Sequence, residues 1–260
     1  MLIDRFLQRN NVIPDALRYG TLTRALAILA SDERGELDSD EAASYLVRPG
    51  YLGAGDCVAI LESTGVTQQR ARQSVERQWS RYRDHLAQTP GAGDWERFET
   101  ASDAMTAHGV LVRHNFTCCR TCADEEIKDE RSGERPEWGY VYFTQMDAFD
   151  LAAEAASVWL GYGSFGPNPR ITATELERAQ GNEESLMALY ERTFDHLAEV
   201  ITASLTDNGL HYDWDGDTQG RIKVVEMDWR RPLPTDTAEP PPARTTPTPS
   251  KPQKFGFGFQ

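Results

Sequence analysis

Residues 115–122 read Asn-Phe-Thr-Cys-Cys-Arg-Thr-Cys and place three of the four cysteines of the chain within five positions. A β-type run, Gly-Val-Leu-Val-Arg at 109–113, precedes this stretch, and an acidic helix-type run, Ala-Asp-Glu-Glu-Ile at 123–127, follows it. The pattern therefore predicts a strand that turns directly into a helix, with the cysteines at the corner. Backbone N–H groups at the start of a helix are free to meet a ligand, so we expect the functional site here.

The segments on either side of this stretch alternate between helical and β-type patterns. Predicted in chain order are a helix at 95–108, β-runs at 109–116 and 139–143, helices at 148–160 and 184–208, and a hairpin of 211–214 with 221–225. The order predicts an α+β fold, in which a helical N-terminal region is followed by a mixed four- or five-stranded sheet with helices packed on it.

Composition divides the chain into three predicted regions. Residues 1–90 show helical periodicity, and Pro-Gly-Ala-Gly at 90–93 marks a break before an α+β domain at 93–233 that contains the cysteine cluster. Eight of the 14 prolines lie from position 232 onward, interspersed with Thr and Ser. Such a segment cannot build a core, so we predict that 234–260 is a disordered tail ending in an aromatic motif.

The cysteine cluster suggests a metal site. Cys119 and Cys122 have the C-x-x-C spacing that can occupy two corners of a tetrahedral zinc ion, and Cys118 and His114 are the nearest further donors. Strong zinc motifs contain two such pairs, whereas this chain has one. We therefore hypothesise a zinc site of Cys118, Cys119, Cys122 and His114, with simple packing of the thiols as the alternative.

The same motif supports a second hypothesis, thiol-dependent catalysis or redox chemistry. A helix N-terminus lowers the pKa of a thiol, which makes Cys119 and Cys122 candidate catalytic residues. Asp147 is a candidate polar assistant, with a helix N-cap as the alternative that the sequence favours. The acidic residues at 124–126 oppose thiolate formation. The P-loop, H-E-x-x-H and G-x-S-x-G fingerprints are absent from the sequence, so it favours a non-enzymatic protein.

Charge restricts the partners that we expect. The formal net charge of −14 repels phosphate backbones and anionic membranes. A helix-turn-helix pattern at 56–86, with an arginine-rich second helix, keeps a DNA-binding regulator as a weaker alternative to a plain helical hairpin. No apolar run reaches the roughly 18 residues of a spanning helix, and the first residues are not signal-like, so we expect a cytoplasmic protein that does not bind membranes.

The last seven residues, 254–260, read Lys-Phe-Gly-Phe-Gly-Phe-Gln. Phe255, Phe257 and Phe259 alternate behind the predicted flexible tail, as in short motifs that dock into a groove or add a strand to a partner. A merely adhesive terminus is the alternative. The leading functional hypothesis from sequence is a non-enzymatic adaptor or regulator that binds a protein partner through this motif.

Further segments, taken with the cysteine stretch, resemble a bacterial family that carries only a domain-of-unknown-function label and is seen chiefly in actinomycetes. They are Gly-Tyr-Val-Tyr-Phe-x-Gln-x-Asp at 139–147, Trp-Asp-Gly-Asp at 214–217 and Asp-Trp-Arg-Arg at 228–231. The resemblance covers about residues 94–233 and implies a shared fold and a cytoplasmic bacterial setting, but no activity. The family tends to have a histidine where this chain has Thr144, so a role for that histidine does not transfer.

Overall fold

The computed structural model of the protein describes residues 20–31, 35–132 and 137–235. Its α-helices are α1 (Gly20–Leu29), α2 (Ser39–Val47), α3 (Ala54–Ser63), α4 (Gln68–Gln88), α5 (Trp95–Ala107), α6 (Arg120–Glu126), α7 (Ala173–Ala179) and α8 (Glu183–Asp207). Its strands are β1 (Val110–Arg113), β2 (Gly139–Tyr142), β3 (Ala156–Ser164), β4 (His211–Asp213) and β5 (Ile222–Met227). Two 3₁₀ turns cover Ile127–Glu130 and Asp147–Ala152.

The five strands form one mixed sheet in the order β1-β2-β3-β5-β4. β1 and β2 are parallel, and the other neighbouring pairs are antiparallel. The predicted α+β fold with a mixed sheet is therefore confirmed. Because parallel neighbours need a crossover, the chain must leave the sheet after β1 and return before β2. That crossover contains three of the four cysteines, Cys118, Cys119 and Cys122, together with α6.

The helix predicted at 148–160 is wrong. A 3₁₀ turn ends at Ala152, and Ala156–Ser164 is β3, the central strand of the sheet. Buried and partly buried residues alternate along its first half. The small and apolar residues at 148–157 fit a helical pattern as well as they fit a β-type pattern. The segment that begins at Ala156 forms a strand because it pairs with β2 and β5.

Two glycines of β3 are required by aromatic rings of β2. Gly161 lies opposite Tyr142 and Gly163 lies opposite Tyr140. A Cβ atom on Gly161 would lie 2.8 Å from Cζ of Tyr142, and one on Gly163 would lie 2.3 Å from the Tyr140 hydroxyl oxygen. The two tyrosine rings therefore lie directly over the backbone of β3.

Helices α1–α4, which we call the helical layer, have their own core. It is built from Leu22, Leu26, Leu46, Ile60, Leu61 and Val75, all at most 2% exposed. Asp38 caps α2 by accepting hydrogen bonds from the Asp40 and Glu41 amides, as its position in the sequence predicts. Arg70 of α4 donates a hydrogen bond to Ser39 of α2, and Arg77 of α4 donates one to Asp40 of α2. Two arginines of the suggested DNA-binding helix therefore connect α4 to α2. DNA binding stays a weaker alternative.

The chain segment after β5, residues 228–233, which we call the terminal segment, joins the helical layer to the α+β half. The Trp229 indole donates to the Pro49 carbonyl at 3.1 Å, and the Tyr82 hydroxyl donates to the Arg231 carbonyl at 3.0 Å. The Arg231 guanidinium also donates to the carbonyl of Gly50. The two halves thus share an interface, and the predicted domain boundary at 90–93 stays a prediction.

Candidate functional site

The turn between β1 and α6, which we call the cysteine corner (residues 115–122), has an unusual backbone. Asn115 and Thr117 have φ values of 50° and 56°. For a β-branched residue such as threonine this conformation is an outlier that costs roughly 1–3 kcal/mol and persists only where the surroundings impose it. The Phe116 amide donates to the Phe143 carbonyl at 2.8 Å, and the Gln145 amide donates to the Thr117 carbonyl at 3.0 Å. The end of β2 therefore fixes the corner on both sides of the strained residue.

This corner brings three sulfur atoms together. Cys118 Sγ lies 3.5 Å and Cys119 Sγ 3.8 Å from Cys122 Sγ. All three lie within 4.8 Å of one another, are half-buried and form no disulfide. With Zn–S bonds of about 2.3 Å, tetrahedral geometry separates two thiolates by about 3.8 Å. The observed separations are close to that value.

Two thiols of the corner, those of Cys118 and Cys122, are held in their protonated form. Burial raises the pKa of the Cys118 thiol. The pKa of Cys122 is raised further, first by burial and then by the neighbouring sulfurs of Cys118 and Cys119. A cation bound among the three sulfurs would reverse this effect, because it stabilises the thiolates that otherwise repel one another.

Helix α6 is attached to the sheet by both apolar and polar contacts. Ala123 and Ile127 are buried against Leu111 and Tyr142. The Tyr142 hydroxyl donates to Oδ1 of Asp124 at 2.5 Å, and Arg120 lies 3.6 Å from Oδ2 of the same carboxylate. One of the acidic groups expected to oppose thiolate formation therefore binds β2 and Arg120.

His114, predicted as a fourth metal ligand, lies outside the cysteine cluster. Its Nε2 is 2.9 Å from Oγ of Ser102, and its Nδ1 is 3.2 Å from Oε1 of Glu99. The prediction is corrected for a physical reason: the left-handed residue Asn115 turns the chain between the histidine and the thiols. Among the residues that the structure describes, no histidine or carboxylate joins the three sulfurs.

Asp147, predicted as a helix cap or polar assistant, is engaged on both carboxylate oxygens. Its Oδ2 accepts bonds from the Thr144 amide at 2.9 Å and the Thr144 hydroxyl at 2.7 Å. Its Oδ1 lies 2.8 Å from the Arg221 guanidinium, and the side chain is 11% exposed. Asp147 therefore connects the end of β2 to the start of β5, and it is not a member of the cysteine cluster.

The fourth cysteine and the predicted aromatic motif can be placed briefly. Cys57 is fully buried in the core of the helical layer, as expected for a small apolar residue. Phe255, Phe257 and Phe259 lie outside the described residues. Sequence reasoning missed Glu99 and Ser102, although their spacing of three on a predicted helix places both on one face.

Together, the fold and the site define an α+β protein with a three-cysteine corner between parallel strands. A family model described as Domain of unknown function (DUF6891) matches residues 32–233, and the chain belongs to this family. The match begins in the helical layer, well before the start of the resemblance near residue 94. No curated protein and no solved structure matches the chain. Within the described residues, the helices are too short or too polar to cross a membrane.

Proposed function

We propose that this protein binds one thiophilic metal ion, zinc in the first place, through Cys118, Cys119 and Cys122. The observation that supports the proposal is the set of sulfur separations, 3.5 and 3.8 Å, in a corner whose backbone is fixed by the end of β2. Thiolate ligands favour zinc over magnesium or calcium, which prefer oxygen. The ion would hold the start of α6 against the bend after β1, which is a structural role in a non-enzymatic protein.

Three protein ligands leave one coordination position of a tetrahedral ion free. Structural zinc sites usually have four protein ligands, whereas open sites complete the tetrahedron with water or an added molecule. We infer that water or an external donor takes the fourth position. His114 is not assigned to it, because its ring nitrogens contact Ser102 and Glu99.

Metal analysis of protein purified without chelator tests the proposal. We expect about one zinc ion per chain, lost in a Cys119→Ser, Cys122→Ser variant. Cys57→Ala is the matched control, because it removes the cysteine that lies in the helical layer. Metal-free protein that also fails to bind added zinc or cobalt would overturn the proposal.

Thiol redox chemistry is a second candidate, favoured by one observation: Cys122 lies within reach of two other thiols. The raised pKa of Cys118 and of Cys122 counts against a nucleophilic role, because the thiolate is the reactive form. Rapid alkylation of one of these cysteines at neutral pH would favour catalysis over metal binding. We expect slow labelling of both.

The adaptor function predicted from the last seven residues remains a separate proposal, supported by the alternation of Phe255, Phe257 and Phe259. Deletion of 234–260 should abolish capture of a protein partner, and a partner retained by the truncated chain would contradict it. We also propose a cytoplasmic location, since a reducing compartment keeps three neighbouring cysteines free of disulfides.

A further inference from the structure

The cysteine corner offers a bound ion three donors of one kind. The thiols of Cys118, Cys119 and Cys122 lie within 4.8 Å of one another and form no disulfide. Among the described residues, no histidine or carboxylate comes close enough to join them. The histidine nearest in sequence, His114, contacts Ser102 at 2.9 Å instead. Within that part of the chain, the site is a triangle of sulfur atoms to which no imidazole or carboxylate is added.

The neighbours of this triangle differ from one side to the other. On one side, Cys118 packs against the core of the helical layer, which is apolar. On the other side lie Arg120 and Asp124, the charged side chains nearest in sequence to the cysteines. They are 3.6 Å apart, and Asp124 also accepts the hydrogen bond of the Tyr142 hydroxyl at 2.5 Å. The nearest charged groups are therefore engaged with each other and with β2.

The number of donors distinguishes between two kinds of thiophilic ion. A zinc ion is tetrahedral and needs a fourth ligand, which at this corner has to come from solvent or from an added molecule. Trivalent arsenic and antimony are soft centres that prefer thiolate sulfur. Each forms three bonds in a pyramid, and a lone electron pair takes the place of the fourth ligand. Three thiols therefore complete such a centre with nothing added.

The separations of the sulfur atoms agree with a pyramidal centre. Tetrahedral zinc places two thiolate sulfurs about 3.8 Å apart. A centre with a lone pair has narrower angles between its bonds and draws its sulfurs closer together. The Sγ atoms of Cys118 and Cys122 are 3.5 Å apart, and those of Cys119 and Cys122 are 3.8 Å apart. The corner thus fits a pyramidal centre at least as well as a tetrahedral one.

The backbone of the corner holds the thiols in place before an ion arrives. Thr117 has a φ of 56°, and hydrogen bonds with the end of β2 fix the chain on both sides of it. A ligand that binds three groups already gathered loses little conformational entropy on binding. The sulfur atoms are only half-buried, so a small uncharged molecule can reach them from solvent.

We propose that the cysteine corner binds a trivalent metalloid, arsenic or antimony, through all three thiols. This inference rests on the proposed function for the identity of the ligands and changes the class of ion. Arsenite reaches the protein as arsenous acid, whose arsenic carries three hydroxyl groups. At each thiol an As–S bond forms, an As–OH bond breaks, and the thiol proton leaves with the hydroxyl group as water. Three water molecules are released, arsenic stays trivalent, and the reaction consumes no oxidant or reductant.

Intact-mass spectrometry of the full chain incubated with arsenite tests the proposal. A phosphine is the only reductant present, because dithiols compete for arsenite. We expect one adduct per chain, heavier than the protein by one arsenic atom less three hydrogen atoms. An adduct held by two thiols keeps one hydroxyl group and is heavier than this by one water molecule. The mass of the wild-type adduct therefore counts the thiols, and it does so whether or not any variant folds.

Single substitutions assign the thiols. Cys118→Ala, Cys119→Ala and Cys122→Ala should each give the two-thiol adduct, and alanine is chosen because it cannot bond to arsenic. The affinity for arsenite, measured by equilibrium dialysis, should fall by roughly a hundredfold, because the third bond closes at a high effective concentration. Cys57→Ala is the matched control in the core of the helical layer, and it should keep the three-thiol adduct and its affinity. A three-thiol adduct that survives a substitution at the corner would overturn the assignment.

The outcomes separate this inference from the proposed zinc site. Protein that binds zinc through the corner but forms no arsenic adduct, or only the two-thiol form, would overturn the inference and leave the zinc site standing. Protein that forms the three-thiol adduct but binds no zinc would support the inference and overturn the zinc assignment. Protein that binds neither would overturn both.

Discussion

The Tyr142 hydroxyl donates a 2.5 Å hydrogen bond to Asp124 and so connects β2 to the helix that carries Cys122. Burial raises the pKa of Tyr142, and the charge of Asp124 raises it further, so the phenol remains a donor over the ordinary pH range. The bond positions α6 without touching a sulfur. It is the kind of outer contact that orients metal ligands in proteins.

Tyr142→Phe should therefore weaken metal binding and leave the fold intact. We expect the zinc affinity to fall by about tenfold, as outer-contact substitutions commonly do. Loss of one bond to a half-exposed carboxylate should cost about 1 kcal/mol of unfolding free energy. Zinc competition and urea unfolding measure the two effects. Tyr140→Phe, in the same strand, is the control, and equal losses in both variants would argue against a specific role of the Asp124 contact.

Metal affinity should rise with pH. The raised pKa of Cys118 and of Cys122 means that both thiols hold protons that the metal must displace. Release of one proton changes the apparent affinity by about tenfold per pH unit, and release of two changes it more steeply. Competition with a chromophoric chelator at several values of pH measures the slope. An affinity independent of pH would mean that the thiols are not the ligands.

Glu99→Gln should remove part of the acid sensitivity of the protein. The pKa of Glu99 is lowered in the folded state, chiefly by the hydrogen bond with His114. The stability that it contributes is therefore present above its unfolded pKa, near 4.5, and is lost as pH falls through the lower folded value. Because the carboxylate is 42% exposed, we expect the variant to lose no more than about 1 kcal/mol at neutral pH.

Urea unfolding at neutral pH and below pH 4 checks this prediction. The variant should be less stable than the wild type at neutral pH, and the difference should shrink in acid. A difference that grows in acid would contradict the stabilising contact between Glu99 and His114.

Gly161→Ala should destabilise the sheet. The added Cβ would lie 2.8 Å from the Tyr142 ring, which is itself buried against α6. Overpacking of this kind costs typically about 1–3 kcal/mol. Gly166→Ala is the control, since nothing lies within 4 Å of its added Cβ. Thermal or urea unfolding should separate the two variants, and equal stability would show that the ring moves aside freely.

Several elements of the fold follow from local sequence, and others do not. The long helix α8 ends at Asp207 and Gly209 has a positive φ, as the Asn-Gly pair at 208–209 predicts. The central strand β3 was not predicted, because Ala, Val and Leu fit a helix or a strand and its partners β2 and β5 are distant in sequence. Long-range pairing of this kind leaves little local signal.

The site shows the same division. The approach of the three sulfurs was predictable from their spacing across a strand-to-helix corner. The separation of His114 from them was not, because it depends on the left-handed conformation of Asn115 and Thr117, and a threonine in that conformation is an outlier that sequence propensity does not favour. The contacts of His114 with Glu99 and Ser102 depend on how α5 packs beside β1. No sequence motif indicates that packing.

X-ray absorption at the zinc edge of the metal-loaded protein tests the central claim most directly, because it counts the sulfur atoms bound to the ion and measures their distance. We predict three sulfurs at about 2.3 Å and one lighter ligand, oxygen or nitrogen. A first shell of oxygen and nitrogen alone, or with a single sulfur, would contradict the three-cysteine site.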